Sequence, residues 1–322
     1  MVKCILNNSK DISQITGKFS ISGSTKEVAE KLDIRVVRPD VDHYLPSIEI
    51  SIGDSIELVT DEGRSIFKGI VWFRELDDNS MEQRLTCYDS LIYLNKSKPP
   101  TDKQVFTNLS ADGIANELIK HVGLYPGSIA GTPSLTFNGR DKTYHEIIMG
   151  AYYDIHKKDG KKYFMHMKDG KVHISEQGQM VNIPLRYDNE AKPGVLLEVS
   201  FEESAESMIN EIQVIDERNK DKVEKITSDL SGALGLISKT IVGTKGEGQG
   251  LIKPPKVEVD VKCIGSWDLN SGYRVYLESN FLKGHYYISE HNHEYSDGIH
   301  ITKMKLTSEN IMKSMDKEEV KK

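Results

Sequence analysis

The chain has 322 residues, 42 basic and 49 acidic, for a formal net charge of −7. At roughly 100–200 residues per domain that length makes two or three domains, each able to bury its own core. The acidic balance argues against a dedicated nucleic-acid binder, because phosphate neutralisation needs a basic stripe and none is visible.

From the N-terminus onward, MVKCILNNSKDIS lacks the roughly 7–15-residue apolar run of a signal peptide, and no later segment approaches about 18 uninterrupted apolar residues. A protein that starts soluble and cytoplasmic, with no membrane span, is expected. Cys4, Cys87 and Cys263 match no metal-ligand or redox spacing, and their odd number argues against a full disulfide framework. From Ile48 to Leu94 short alternating segments are punctuated by turn residues, the pattern of an antiparallel barrel or sandwich. Ile56 and Leu58 alternate with polar neighbours, a turn follows at Asp61 to Gly63, and Leu85 and Cys87 alternate in a later strand.

The period then changes. Ile114, Leu118 and Val122 recur every four residues between a capping Ser110 and a terminating Gly123, which predicts an amphipathic helix. Thr143 and Glu146 form a T-x-x-E capping box for a second helix whose stripe is Ile147, Ile148, Ala151, Tyr152 and Ile155. Tyr163 to Met167 and Val172 to Ser175 flank Asp169-Gly170, the pair favoured in a two-residue type I′ hairpin. Strands return at Ile209 to Asp216, Val257 to Ile264, Tyr273 to Leu277, His285 to Glu290 and Ile299 to Thr307. The glycine-rich GTKGEGQG at Gly243 to Gly250 holds no packed core and predicts a mobile or partner-ordered loop. The expected fold is α+β, mainly β. It comprises a first β-barrel domain at 1–98, an α+β domain at 99–190, and a second β-barrel domain at 191–322 with a flexible 217–256 insertion.

The first and last β regions echo each other. Gly53 to Leu58 matches Gly272 to Leu277 as a turn glycine leading into a strand ending in leucine; Lys68-Gly69 matches Lys283-Gly284 before an aromatic-bearing strand. Two readings fit: any β meander alternates glycine and strand, or the chain carries two copies of one barrel module.

Five constellations invite chemistry. His291-Asn292-His293-Glu294, with His285 and His300 nearby, places two imidazoles on one face of a strand, but spacing fixes no third ligand, and solvated histidines on an exposed strand are expected. Glu202, Glu203 and Glu206 form an acidic cluster without the opposed geometry a glycosidase needs. Gly23-Ser24-Thr25 lacks the flanking glycine of a nucleophile elbow, and Lys245 in the glycine-rich loop is not followed by the serine or threonine of a phosphate-binding loop. Trp72, Phe73, Tyr286 and Tyr287 suggest stacking platforms, but packing anchors at equivalent points of the two barrels are the favoured reading. No catalytic, cofactor-binding or metal-ligating residue is assigned, and a non-enzymatic protein without a cofactor is expected.

Residues 53–98, GDSIELVTDEGRSIFKGIVWFRELDDNSMEQRLTCYDSLIYLNKSK, resemble the barrel of XkdQ/YqbQ-type contractile phage tail hub proteins, with an F-x-G-I-V strand at Phe67 to Val71 and a C-Y-D-x-L-x-Y-L segment at Cys87 to Leu94. The resemblance continues through both helices and resumes in KGHYYISEHNHEYSDGIHITKMKL. It is weak at Glu217 to Lys256. It implies a structural baseplate hub, a homotrimer at the tip of a contractile tail that joins the six-fold tube to a three-fold spike. The partners implied are the tail tube protein, the spike protein and a LysM-bearing tail protein. The setting implied is a phage or an R-type bacteriocin of the diffocin kind. Some relatives carry a fused peptidoglycan hydrolase, for which the chain to Lys322 leaves no room. A particle-delivered cell-wall-binding or muralytic protein is the alternative.

Overall fold

A computed structural model describes residues 2–38, 48–215, 223–228, 235–242, 251–308 and Met312. The chain forms two compact units, Met1–Glu198 with Val261–Lys322, and Val199–Asp260.

In the first unit, β1 (Val2–Leu6), β3 (Thr16–Ser24), β4 (Lys31–Val37), β5 (Ser55–Thr60), β6 (Ser65–Glu75) and β7 (Glu82–Asp89) alternate apolar and polar residues, while the short β2 (Lys10–Asp11) is exposed. Because successive side chains of a strand point to opposite faces, this alternation gives each strand one apolar face. Leu32, Ile34, Val36, Ile56, Leu58 and Leu85 are all but fully buried in one core.

The chain then changes to an α+β arrangement. It begins with α1 (Leu91–Lys96), β8 (Val105–Ser110), α2 (Ala111–His121), β9 (Pro126–Ile129) and β10 (Ser134–Asn138). It ends with α3 (Tyr144–Asp159) and the hairpin of β11 (Tyr163–Lys168) and β12 (Lys171–Glu176). Both helices form where capping and periodicity place them. The Ser110 side chain accepts from the Gly113 N–H, and the capping box of Thr143 and Glu146 is complete. Asp169 and Gly170 both have positive φ, as the tight hairpin turn demands. Ile114, Leu118, Ile147 and Tyr152 meet in a second core, each such apolar side chain stabilising by about 2 kcal/mol.

Next come β13 (Leu185–Arg186) and β14 (Leu196–Ser204), which runs into the second unit. There β15 (Glu211–Ile215) pairs antiparallel with β16 (Val223–Thr227) and parallel with β17 (Ser238–Val242). The expected flexible insertion thus carries two paired strands among its described residues; Gly243 to Gly250 lies outside them. The strand β18 (Lys256–Ile264) brings the chain back, and β19 (Arg274–Glu278), β20 (Lys283–Ser296) and β21 (Ile299–Thr307) complete the first unit.

One curled sheet holds both barrel modules, in the order β14-β18-β21-β20-β3-β4-β7-β6-β5-β1-β2, with β19 also on β20 and β13 on β19. This decides between the two readings of the echo. The neighbours β3-β4-β7-β6-β5 recur as β14-β18-β21-β20-β19, in the same sequence order; the match ends there, since β1 runs antiparallel to β5 and β13 parallel to β19. Details recur too. Gly53 and Gly272 both have positive φ; the Gly53 N–H donates to Val71 O as that of Gly272 donates to Ile288 O, each at 2.9 Å. Each long strand then bulges at the next residue, Trp72 in β6 and Ser289 in β20. The match of Lys68-Gly69 to Lys283-Gly284 is corrected by this register. Leu58 pairs with Phe67, whereas Leu277 pairs with Gly284, so the first hairpin holds two more residues and Gly69 corresponds to Tyr286. Trp72 therefore corresponds to Ser289, and the aromatic pairs are not at equivalent points.

Candidate functional site

The two modules meet where the part of β20 beyond its bulge takes β3 as a neighbour, from Glu290 opposite Ser24 to Tyr295 opposite Phe19. The strand is long enough to serve β19 with its first residues and β3 with its last, while β21 follows it from Tyr287 to Ser296. The histidines lie in this joint, and the expectation that they are solvated is overturned. His291 and His293 are 3% and 2% exposed, because the strand continues past Glu290 to Ser296 and its inward residues face the joint.

The geometry fixes their tautomers. The Ser271 N–H donates to His291 Nδ1 at 2.9 Å, which leaves the proton on Nε2, 3.5 Å from Glu30 Oε1. His293 Nε2 lies 2.9 Å from Asn270 Oδ1, an acceptor, so Nδ1 takes a hydrogen bond from the Thr302 hydroxyl or from His300 Nε2, each 3.1 Å away. His300 stacks on Trp267 with centroids 3.6 Å apart. Burial pushes the His293 pKa well below its ordinary value, and the neighbouring His291 and His300 add to the effect; burial alone lowers His300 to about 4. His293 and His300 are neutral cross-braces. Among the described residues no group of three His, Cys, Asp or Glu side chains is placed to hold a metal.

Asp89 of the C-Y-D motif supports the same joint from the other side. Its carboxylate, 2% exposed, accepts from the Glu30 N–H at 3.1 Å and the Leu91 N–H at 2.9 Å, tying the β3–β4 connection to the start of α1. Burial raises its pKa well above the ordinary value, Glu30 raises it further, and the two N–H donors pull it back. Beside the joint a cavity of about 580 Å³ is walled by the Gly23 to Glu30 connection, by β11 and by residues Trp267 to Tyr273. His166 lines it, and burial, with His173 next, lowers its pKa to about 4.

The remaining candidates are not brought together. Glu202 and Glu203 are neighbours on β14 and so point to opposite faces. Ser24 caps a turn, accepting from the N–H groups of Lys26 and Glu27. Trp72 packs edge-on against Tyr88 and Tyr93, whereas Phe73 is 53% exposed; Ile52, Leu76 and Met81 are exposed near that end of β6. Arg74 corresponds to His291 and does a similar job, donating to Ile50 O at 2.6 Å to hold the segment before β5.

The fold is that of phage tail proteins. The 43 kDa tail protein of prophage MuSo2 from Shewanella oneidensis superposes with a TM-score of 0.71 at 13% identity, over 95% of this chain and 97% of that one. The tail protein from Neisseria meningitidis MC58 gives 0.65 at 14% identity over 98% of each chain, and prophage tail protein gp18 from Listeria monocytogenes EGD-e gives 0.56 at 11% over 97% of each. A family model described as YQBQ-like matches residues 19–233. The chain belongs to the YQBQ-like family, the one to which its motif order pointed. No curated protein sequence matches it. Among the described residues no helix is long and apolar enough to cross a membrane.

Proposed function

We propose that the chain is a structural, non-enzymatic subunit of a phage tail or R-type bacteriocin, a baseplate hub that trimerises at the tip of a contractile tail and joins the six-fold tube to a three-fold spike. The observation that carries this is the internal duplication: two modules with one strand order mean that three chains supply six similar modules to a six-fold tube ring and three whole subunits to a three-fold spike. Closed symmetry suits the role, because head-to-tail contacts then end in a ring. Residues 1–98 and 191–322 are the ring modules, and 99–190 grips the spike. The tail tube protein, the spike protein and a LysM-bearing tail protein are its partners. It assembles in the host bacterial cytoplasm and ends in the baseplate.

Light scattering over a concentration series tests this, together with the stoichiometry of the protein in purified tails. The expected mass is three chains of 36.3 kDa. A monomer in solution that is also missing from purified tails refutes the reading.

A further inference from the structure

We propose that the edge of β6 beyond its bulge receives strand β14 of a second copy of this chain, repeating between molecules the seam that joins β3 to β20 within one. This rests on the hub reading in requiring more than one copy, and it names the surface. The argument starts from the repeat. In the second module the stretch of β20 after Ser289 is covered by β3. Its counterpart in the first module, Phe73 to Glu75, pairs with β7 on one side, and among the described residues no strand takes the other side past Val71.

Among the described residues that edge is uncovered and carries exposed apolar side chains. Phe73, Leu76 and Met81 are 53%, 53% and 67% exposed, and Leu76 corresponds to the buried His293. Among the described residues the matching strand is also uncovered on one side. The counterpart of β3 is β14, last in the sheet order, and the two nine-residue strands, matched end to end, align Phe19-Ser20-Ile21-Ser22-Gly23-Ser24 with Val199-Ser200-Phe201-Glu202-Glu203-Ser204. Ile21 is 2% exposed, yet Phe201 at the same position is 42% exposed and Leu197 nearby 48%. Carrying the β3–β20 register across puts Phe73 opposite Ser204 of the second copy and Arg74 opposite Glu203 of the second copy, a charge pair that fits. An unpaired strand edge is a template for this kind of addition.

Cysteine cross-linking of the full-length protein tests the seam, since Cys4, Cys87 and Cys263 are buried and give little background. A mixture of Phe73→Cys and Ser204→Cys is expected to give a covalent dimer on mild oxidation, and the double variant covalent species up to a closed trimer. Phe73→Glu is expected to weaken self-association at least about tenfold with an unchanged thermal melt, the size of a central apolar anchor. If the wild type is trimeric but neither mixture nor double variant cross-links and Phe73→Glu keeps its mass, the seam is wrong and the hub reading stands. If the wild type neither self-associates nor enters tails, both fall.

Discussion

A β-carbon on Gly69 would collide with the Tyr88 carbonyl and lie 2.6 Å from the Phe67 ring, so the F-x-G pair is an aromatic ring laid over a glycine two residues along the same strand face. Gly69→Ala is expected to cost about 2 kcal/mol, read as a lowered urea midpoint with an unchanged slope, because neither carbonyl nor ring has room to give. Asp89 has a comparable local reason to be in its motif. Asp89→Ala leaves the buried N–H groups of Glu30 and Leu91 without acceptors and is expected to cost about 3 kcal/mol. The histidines set the pH response. His166, His293 and His300 have folded pKa values below 6.5, so below that pH the unfolded chain binds protons that the folded chain refuses. Stability contributed by neutral imidazoles is complete above pH 6.5 and is lost as pH falls toward about 4, by at most about 1.4 kcal/mol per pH unit per histidine. Asp89 opposes this, since a raised carboxyl pKa adds stability as pH falls through it. His293→Gln keeps a donor for Asn270 and an acceptor for Thr302 without titrating. It is expected to flatten the loss measured by denaturation at pH 7, 6 and 5, and an unchanged slope would show that His293 is not a source.

At the scale of elements, what local chemistry dictates was legible and what distant pairing dictates was not. The capping box before α3, the Ser110 cap of α2 and the Asp169-Gly170 turn are decided within a few residues, and each forms where the sequence places it. Thr143→Ala removes the cap and is expected to cost about 1 kcal/mol, with loss of α3 helicity followed by amide hydrogen exchange. By contrast β3 and β14 carry a similar pattern that surfaces only once the sheet order pairs them, because their neighbours lie far away in sequence. The repeat was visible, but its register was not. The β5–β6 hairpin holds two extra residues, with an irregularity after Leu58, so anchoring on Lys-Gly misplaced the second strand by two positions. The histidine pair was misjudged for the same reason: nothing local in His-Asn-His-Glu reveals that β3 will cover that stretch.

For the whole molecule, the joint between modules is where association and stability meet. A seam between copies built like the β3–β20 seam would lie on different residues from the joint inside each subunit. A substitution inside the joint, such as His293→Gln, and one on the outer edge, such as Phe73→Glu, are then expected to separate in experiment. The first alters the melt and its pH dependence, and the second alters only the concentration at which mass rises in light scattering. Such independence is expected of sites that share no partner.

The β3–β20 pairing has a further consequence for how the protein is made. Thr25 bonds the Ser289 carbonyl across 264 positions of sequence, so a chain leaving the ribosome exposes the open edge of β3 until nearly its last strand is synthesised. The first half folds early, with its cores of local contacts, and waits. During that interval the β20 stretch of another chain whose own joint has not yet closed fits the edge as well as its own does. Translation rate and chaperone capture in the host therefore bear on the yield of correctly closed subunits.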